Sequence, residues 1–234
     1  IRRLVLEGDI YHAEELIMQY MAGTPACMRH YTLLGEVDIA LNQHLPFASG
    51  ALPNSEGAED YCADLDLMTG LLNISHNQDG VSYKREMFIS YPAQVMCFRL
   101  ASETPGAINL DVMMNRIGIS DAVAMDDRRP GRKVSGGGWP APSADSIRTI
   151  NQNTILMKGR DSQIEFAAAL WMECDGELLN PVSQLLARNS SEVIIYLASS
   201  TSNRSEDPVS DVLQKLEAAR KKGYDVLREE HVKD

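Results

Sequence analysis

Carboxylates are the commonest groups in this chain that could do chemistry, with Asp and Glu numbering 33. Two close pairs stand out, Asp64/Asp66 and Asp126/Asp127. A carboxylate pair can run acid–base chemistry when one member is held protonated and the other charged on opposite sides of a bond. Neighbouring or alternate carboxylates on one loop or strand share a single environment, so both pairs read as solvated charge. His12 and His30 stand alone, each read as a solvated or hydrogen-bonded imidazole. Cys27, Cys62, Cys97 and Cys174 are far apart and form no C-x-x-C pair, which argues against zinc. There is no G-x-S-x-G elbow, no H-E-x-x-H helix, and no Cys/His pair at a recognisable spacing. Gly136-Gly137-Gly138 lacks the Gly-Lys-Ser/Thr ending and following helix of a phosphate loop. The residues therefore point to no catalytic group, no metal ligand and no cofactor. The substrate-binding candidate is Trp139, beside Pro140 in a Gly/Pro-rich stretch. An exposed indole there could stack on the apolar face of a sugar ring; folded back, it would anchor its own loop.

The elements that would position these groups are mostly strands. Residues 81–100 form the centre of the pattern: two strands broken at Tyr91-Pro92, where proline cannot donate to a ladder. Val81, Tyr83, Met87 and Ile89 share a face of the first. The second, residues 95–100, is apolar on both faces, as expected of a strand covered on two sides. Arg85 and Arg99 interrupt these faces, and each guanidinium needs a carboxylate or carbonyl partner if buried. Further strands are expected near 31–42 (Gly35 a candidate bulge), 61–67, 70–76, 107–115, 154–158, 164–174 and 192–199. Asp79-Gly80 suits a tight hairpin turn. Residues 1–23 predict two short helices meeting at Gly8-Asp9, with Asp9 the N-cap of the second. Asp207-Pro208 opens another helix that Gly223 ends, and one more follows. Residues 120–145 mix both charge signs with three glycines in a row and three prolines, and read as a mobile surface loop.

At 234 residues the chain can hold one large β domain or two small ones. A formal charge of −11 leaves no basic surplus for nucleic-acid phosphates. No stretch has the apolar length of a transmembrane helix. The chain opens on Ile1 rather than Met, so the lack of a visible signal peptide carries no information. Sequons at Asn73, Asn189 and Asn203 slightly exceed the about one or two that composition alone would give, and lean weakly towards secretion.

The run YKREMFISYPAQVMCFRL resembles the N-terminal domain of glycoside hydrolase family 95, the α-L-fucosidases. Tyr83, Arg85, Glu86, Phe88, Ser90, Pro92, Arg99 and Leu100 match its pattern Y-x-R-E-x-F-x-S-x-P followed by a strand ending in R-L. Arg2-Arg3-Leu4, Glu7-Gly8, Ala13-Glu14-Glu15-Leu16, Leu34-Gly35, Tyr61, Leu65-Asp66-Leu67, Thr201 and His231 follow the family's order. The resemblance implies a mainly β fold, an antiparallel supersandwich-like β-sandwich with short N-terminal helices and C-terminal linker helices. It implies a sandwich domain over 1–203, lacking its first strands, and a helical linker over 204–234. It further implies a partner, an (α/α)6 catalytic barrel that inverts at the anomeric carbon and takes fucosylated glycans. The barrel's catalytic positions have no counterpart in this chain, so the chain is expected to be non-catalytic alone. A stand-alone carbohydrate-binding module and a truncated non-enzymatic fragment remain open alternatives.

Overall fold

The structure, a computed structural model, describes residues 1–21, 33–42, 58–116, 144–161 and 163–234. Two compact units divide the chain, Ile1–Thr32 and Leu33–Asp234. In the first, α1 (Arg2–Leu6) and α2 (Ile10–Tyr20) are separated by Gly8 at φ +81. The Asp9 side chain accepts from the His12 N–H, satisfying one of the first-turn donors. His12 is not isolated: its Nδ1 sits 2.7 Å from the Asp9 carboxylate, which raises the imidazole's pKa. Tyr20 and Ile17 lie exposed, and of these two helices only Ala13 is buried.

The second unit is mainly β and wholly antiparallel. Its strands are β1 (Glu36–Leu41), β2 (Ala58–Asp66), β3 (Leu71–Gln78), β4 (Val81–Ser90), β5 (Val95–Ser102), β6 (Ile108–Asn115), β7 (Ser146–Asn151), β8 (Thr154–Asp161), β9 (Ile164–Cys174), β10 (Glu177–Leu179), β11 (Gln184–Ser190) and β12 (Glu192–Thr201). Four form one sheet in the order β1-β6-β11-β10; eight form the other in the order β2-β3-β4-β5-β12-β9-β8-β7. The sheets pack face to face over Tyr83, Phe98, Leu100, Ile108, Leu110 and Val112 with their neighbours. Ile108, Leu110, Val112 and Met114 alternate along β6, which is why one face of that strand is core.

Two helices close the chain, α3 (Pro208–Lys222) and α4 (Tyr224–Lys233). Asp207 caps α3 by accepting from the Val209 and Ser210 N–H groups, each at 3.1 Å, with Pro208 in the first turn. Gly223 separates the helices at φ +81, ψ 159, a region that a side chain makes costly. Both helices lie on the outer face of the large sheet. Val212, Leu216, Ala219, Tyr224 and Leu227 form a second core there with Phe88, Cys97, Tyr196 and Ala198. β4 and β5 thus lie between two apolar layers.

The 81–100 reading holds: the chain turns at 91–94 between β4 and β5. Asp79 and Gly80 both take positive φ, as a tight hairpin needs. Gly35 corrects an expectation. It lies just before β1, whose pairing with β6 is regular, so it is no bulge. A Cβ there would stand 2.8 Å from the Asn115 carbonyl, so close backbone approach explains the glycine. Tyr31 and Thr32 lie outside the described residues, as does most of the loop expected at 120–145. β7, β10 and β11 add strands that the sequence pattern left as connections.

Candidate functional site

The richest set of functional side chains lies where α3 and α4 meet the large sheet. Along β4, alternation sends Arg85 and Glu86 to opposite faces. Glu86 joins Phe88 on the helix-covered face. There the Tyr224 hydroxyl donates to Glu86 Oε1 at 2.9 Å. Arg228 Nε donates to Glu86 Oε1 at 2.9 Å and Oε2 at 3.0 Å. Tyr224 and Arg228 are four apart on α4, one turn, so a single carboxylate reaches both. Burial, then the bond to Glu86, pushes the Tyr224 phenol well above its ordinary range. His231, a further turn along, stacks on Phe88 with ring centroids 4.9 Å apart.

Arg99 adds a second tie. Its Nε donates to Glu192 Oε1 at 2.8 Å, and Asp225 of α4 lies 4.0 Å from its Nη1. Its guanidinium also sits 5.4 Å from the centre of the Tyr224 ring. The carboxylate expected for Arg99 is therefore present. Further along, Arg220 of α3 lies over Trp171, which stacks on Tyr196. The result is an apolar seam with charged ties along its length, suited to fixing helices on a sheet.

Nothing in this arrangement resembles an active centre. Glu173 has the carboxyl pushed above its usual range, first by burial and then by the Glu192 carboxylate. A raised carboxyl beside a charged one is the pattern of an acid–base pair. Here Glu192 is held by Arg99, and both groups lie on the face that α3 and α4 cover. A cavity of about 380 Å³ opens on the other side of the sheet, between Leu34–Val37 and the β4–β5 hairpin. Met96, Met157 and Leu197 line it, and among the described residues Glu36 is its one carboxylate. Asp66 accepts from the Met68 N–H at 2.9 Å, which holds its carboxyl below the usual range and makes it a turn cap. Asp64 is exposed. Among the described residues no group of three or more His, Cys, Asp or Glu could hold a metal ion. No helix among them is long and apolar enough to cross a membrane. Trp139, Asp126, Asp127 and His30 lie outside the described residues. Glu86 was legible in the sequence only as half of the Arg85-Glu86 match; no local signal joins it to Tyr224 and Arg228, 138 and 142 residues away.

A family model described as "Glycosyl hydrolase family 65, N-terminal domain" matches residues 1–206. The chain belongs to that family. The glycoside-hydrolase N-terminal domain expected from the resemblance is thereby shown, under family 65 rather than family 95. No curated protein matches the chain. Among solved structures it is similar to a putative kojibiose phosphorylase from human microbiome, with 12% identity and a TM-score of 0.49. That match covers 85% of this chain and 26% of the other, so the chain spans about a quarter of that protein's length.

Proposed function

We propose that this chain is the ancillary N-terminal β-sandwich of an α-L-fucosidase-like glycoside hydrolase. It supports an (α/α)6 catalytic barrel that inverts at the anomeric carbon, and does no chemistry alone. The observation that carries this reading is the seam between the large sheet and α3–α4. Its apolar contacts and the Glu86–Tyr224–Arg228 ties give the end of the chain a fixed geometry, as a support for a following domain requires. The match to an N-terminal-domain family model favours the same role. The fucoside specificity rests on the ordered series Tyr83, Arg85, Glu86, Phe88, Ser90, Pro92. Fucosylated glycans would be bound through the barrel.

The purified chain is expected to release no product from an aryl α-L-fucoside. Turnover that co-purifies with the chain and falls on its mutation would sink the proposal. The family 65 description favours a second reading of specificity, a parent that acts on a different glycoside. Chain joined to a helical barrel domain, assayed on an aryl α-L-fucoside and an aryl α-glucoside side by side, separates the two.

A further inference from the structure

Beneath α3 and α4, the outer face of the large sheet carries two polar groups that the charged ties leave unused. Tyr196 of β12 is 1% exposed. It packs in one cluster with Cys97 of β5, Val212, Leu216 and Ala219 of α3, and Tyr224 and Leu227 of α4. Trp171 of β9 stacks on its ring. The Tyr196 hydroxyl is buried and has no hydrogen-bond partner among the described residues. Burial, then the Glu173 carboxylate, pushes the phenol above its ordinary range, so the group stays an O–H with a proton to donate. A buried hydroxyl without an acceptor is costly. Glu173 is the complementary case. It is half-buried, and no hydrogen bond or ion pair joins its carboxylate to a described residue. The charges acting on it are Glu192, which repels it, and Arg220 of α3, which attracts it from beyond ion-pair distance.

The ladder brings these two groups together. Tyr196 pairs with Trp171 and Ile194 with Glu173, so Glu173 is the diagonal neighbour of Tyr196 on one sheet face. Diagonal neighbours stand about 7–8 Å apart, within reach of aromatic and long side chains. Among the carboxylates around the phenol, Glu173 acts on it most strongly, ahead of Asp225 and Glu192. Those two already face Arg99, to which Glu192 is hydrogen-bonded. Cys97, the direct neighbour of Tyr196 on β5, keeps its proton, with its thiol pushed up to about 12, and is a weak acceptor.

We propose that one internal water molecule lies beneath the α3–α4 elbow, accepting from the Tyr196 hydroxyl and donating to the Glu173 carboxylate. The chemistry of the two groups selects this ligand. The phenol needs an acceptor and the carboxylate a donor, and water is both at once. An ammonium or metal ion offers the phenol proton no acceptor, and an anion would be repelled by Glu173. Asp225 and Glu192 supply acceptors for the second hydrogen of the water. The bridge ties β9 to β12 under the helix pair. It also gives a reason for the hydroxyl at 196, where a phenylalanine ring would stack on Trp171 equally well. The inference is independent of which barrel the parent carries.

The test is a crystal structure of the chain at a resolution that orders water, with the Glu173 carboxyl carbon titrated by NMR in the native chain and in Tyr196→Phe. A single water peak is expected at about 2.5–3.0 Å from both Tyr196 Oη and a Glu173 oxygen. Where no crystal forms, an NOE from bound water to the Tyr196 hydroxyl proton is the expected native signature, and its absence overturns the proposal. Tyr196→Phe should lose the water and raise the Glu173 midpoint by about half a pH unit or more, because a donor to the charged form is gone. If that variant fails to fold, the native observation decides. A direct Tyr196–Glu173 bond, a hydroxyl bonded to any other protein group, or no density beside the hydroxyl overturns the proposal. So does a peak held by carboxylate oxygens at about 2.3–2.6 Å, which marks a cation. An unchanged Glu173 midpoint in folded Tyr196→Phe overturns it as well.

Discussion

Removing the Tyr224 hydroxyl tests what fixes α4 to the sheet. In Tyr224→Phe the ring stays buried against Phe88, 5.5 Å centre to centre, so only the bond to Glu86 is lost. Glu86 has a side chain 19% exposed and accepts three short bonds, two of them from Arg228. Loss of one bond to a partly buried carboxylate costs about 1.5–2 kcal/mol. Arg228 is 40% exposed, so solvent screens its pairing and Arg228→Ala should cost about 0.5–1 kcal/mol. Glu86→Gln, which weakens both, should cost about 2 kcal/mol, and pairing it with Tyr224→Phe should show coupling of about 1 kcal/mol. For a chain of this size the Tyr224→Phe loss is a Tm drop of about 3–8 °C if unfolding is global. As α4 is terminal, the sharper reading is native-state amide exchange. Protection along Tyr224–Lys233 should fall in every variant while that of β9 and β12 is kept. Coupling below about 0.3 kcal/mol, or an Arg228→Ala loss larger than that of Tyr224→Phe, would refute the idea that a buried hydroxyl–carboxylate bond anchors the helix.

Three other outcomes are expected. Gly223→Ala should cost about 1–3 kcal/mol in urea denaturation although no atom lies within 4 Å of its would-be Cβ, because the cost is the backbone conformation. Glu173 has its folded pKa raised, so its penalty is absent below the unfolded value near 4.5 and grows as pH rises through the folded one. Glu173→Gln should therefore stabilise the chain at pH 7 and flatten the decline in Tm above pH 4.5; an unchanged slope would contradict this. With Cys97 buried and its thiol pushed up to about 12, iodoacetamide at pH 8 should label exposed Cys62 and spare Cys97 until the chain is unfolded, as read by peptide mass spectrometry.

Local signals carried most of the fold. The alternation of Ile108, Leu110, Val112 and Met114 marked β6 and its core face; Asp79-Gly80 marked a hairpin; Asp207-Pro208 and Gly223 bounded α3. These are readable because periodicity, φ preference and capping act over a few residues. β11 was missed because Gln184, Arg188 and Asn189 interrupt its apolar pattern; it is a strand because β6 and β10 pair with it. The difference between Arg85 and Arg99 was also invisible. Both interrupt apolar strands, and both needed a partner by the same desolvation argument.

The sequence by itself determined a mainly β chain with helices at both ends, the turns between its central strands, and the face on which each β4 side chain points. Strand period and turn chemistry are local, so one chain segment suffices to read them. Only the tertiary structure decided that Glu86 meets Tyr224 and Arg228, 138 and 142 residues away, and that Arg99 meets Glu192. It also decided that half-buried Arg85 meets no carboxylate among the described residues, whereas Arg99 does. Such pairings depend on which strands become neighbours, and that choice comes from the burial of the whole apolar surface, to which no single segment holds the answer.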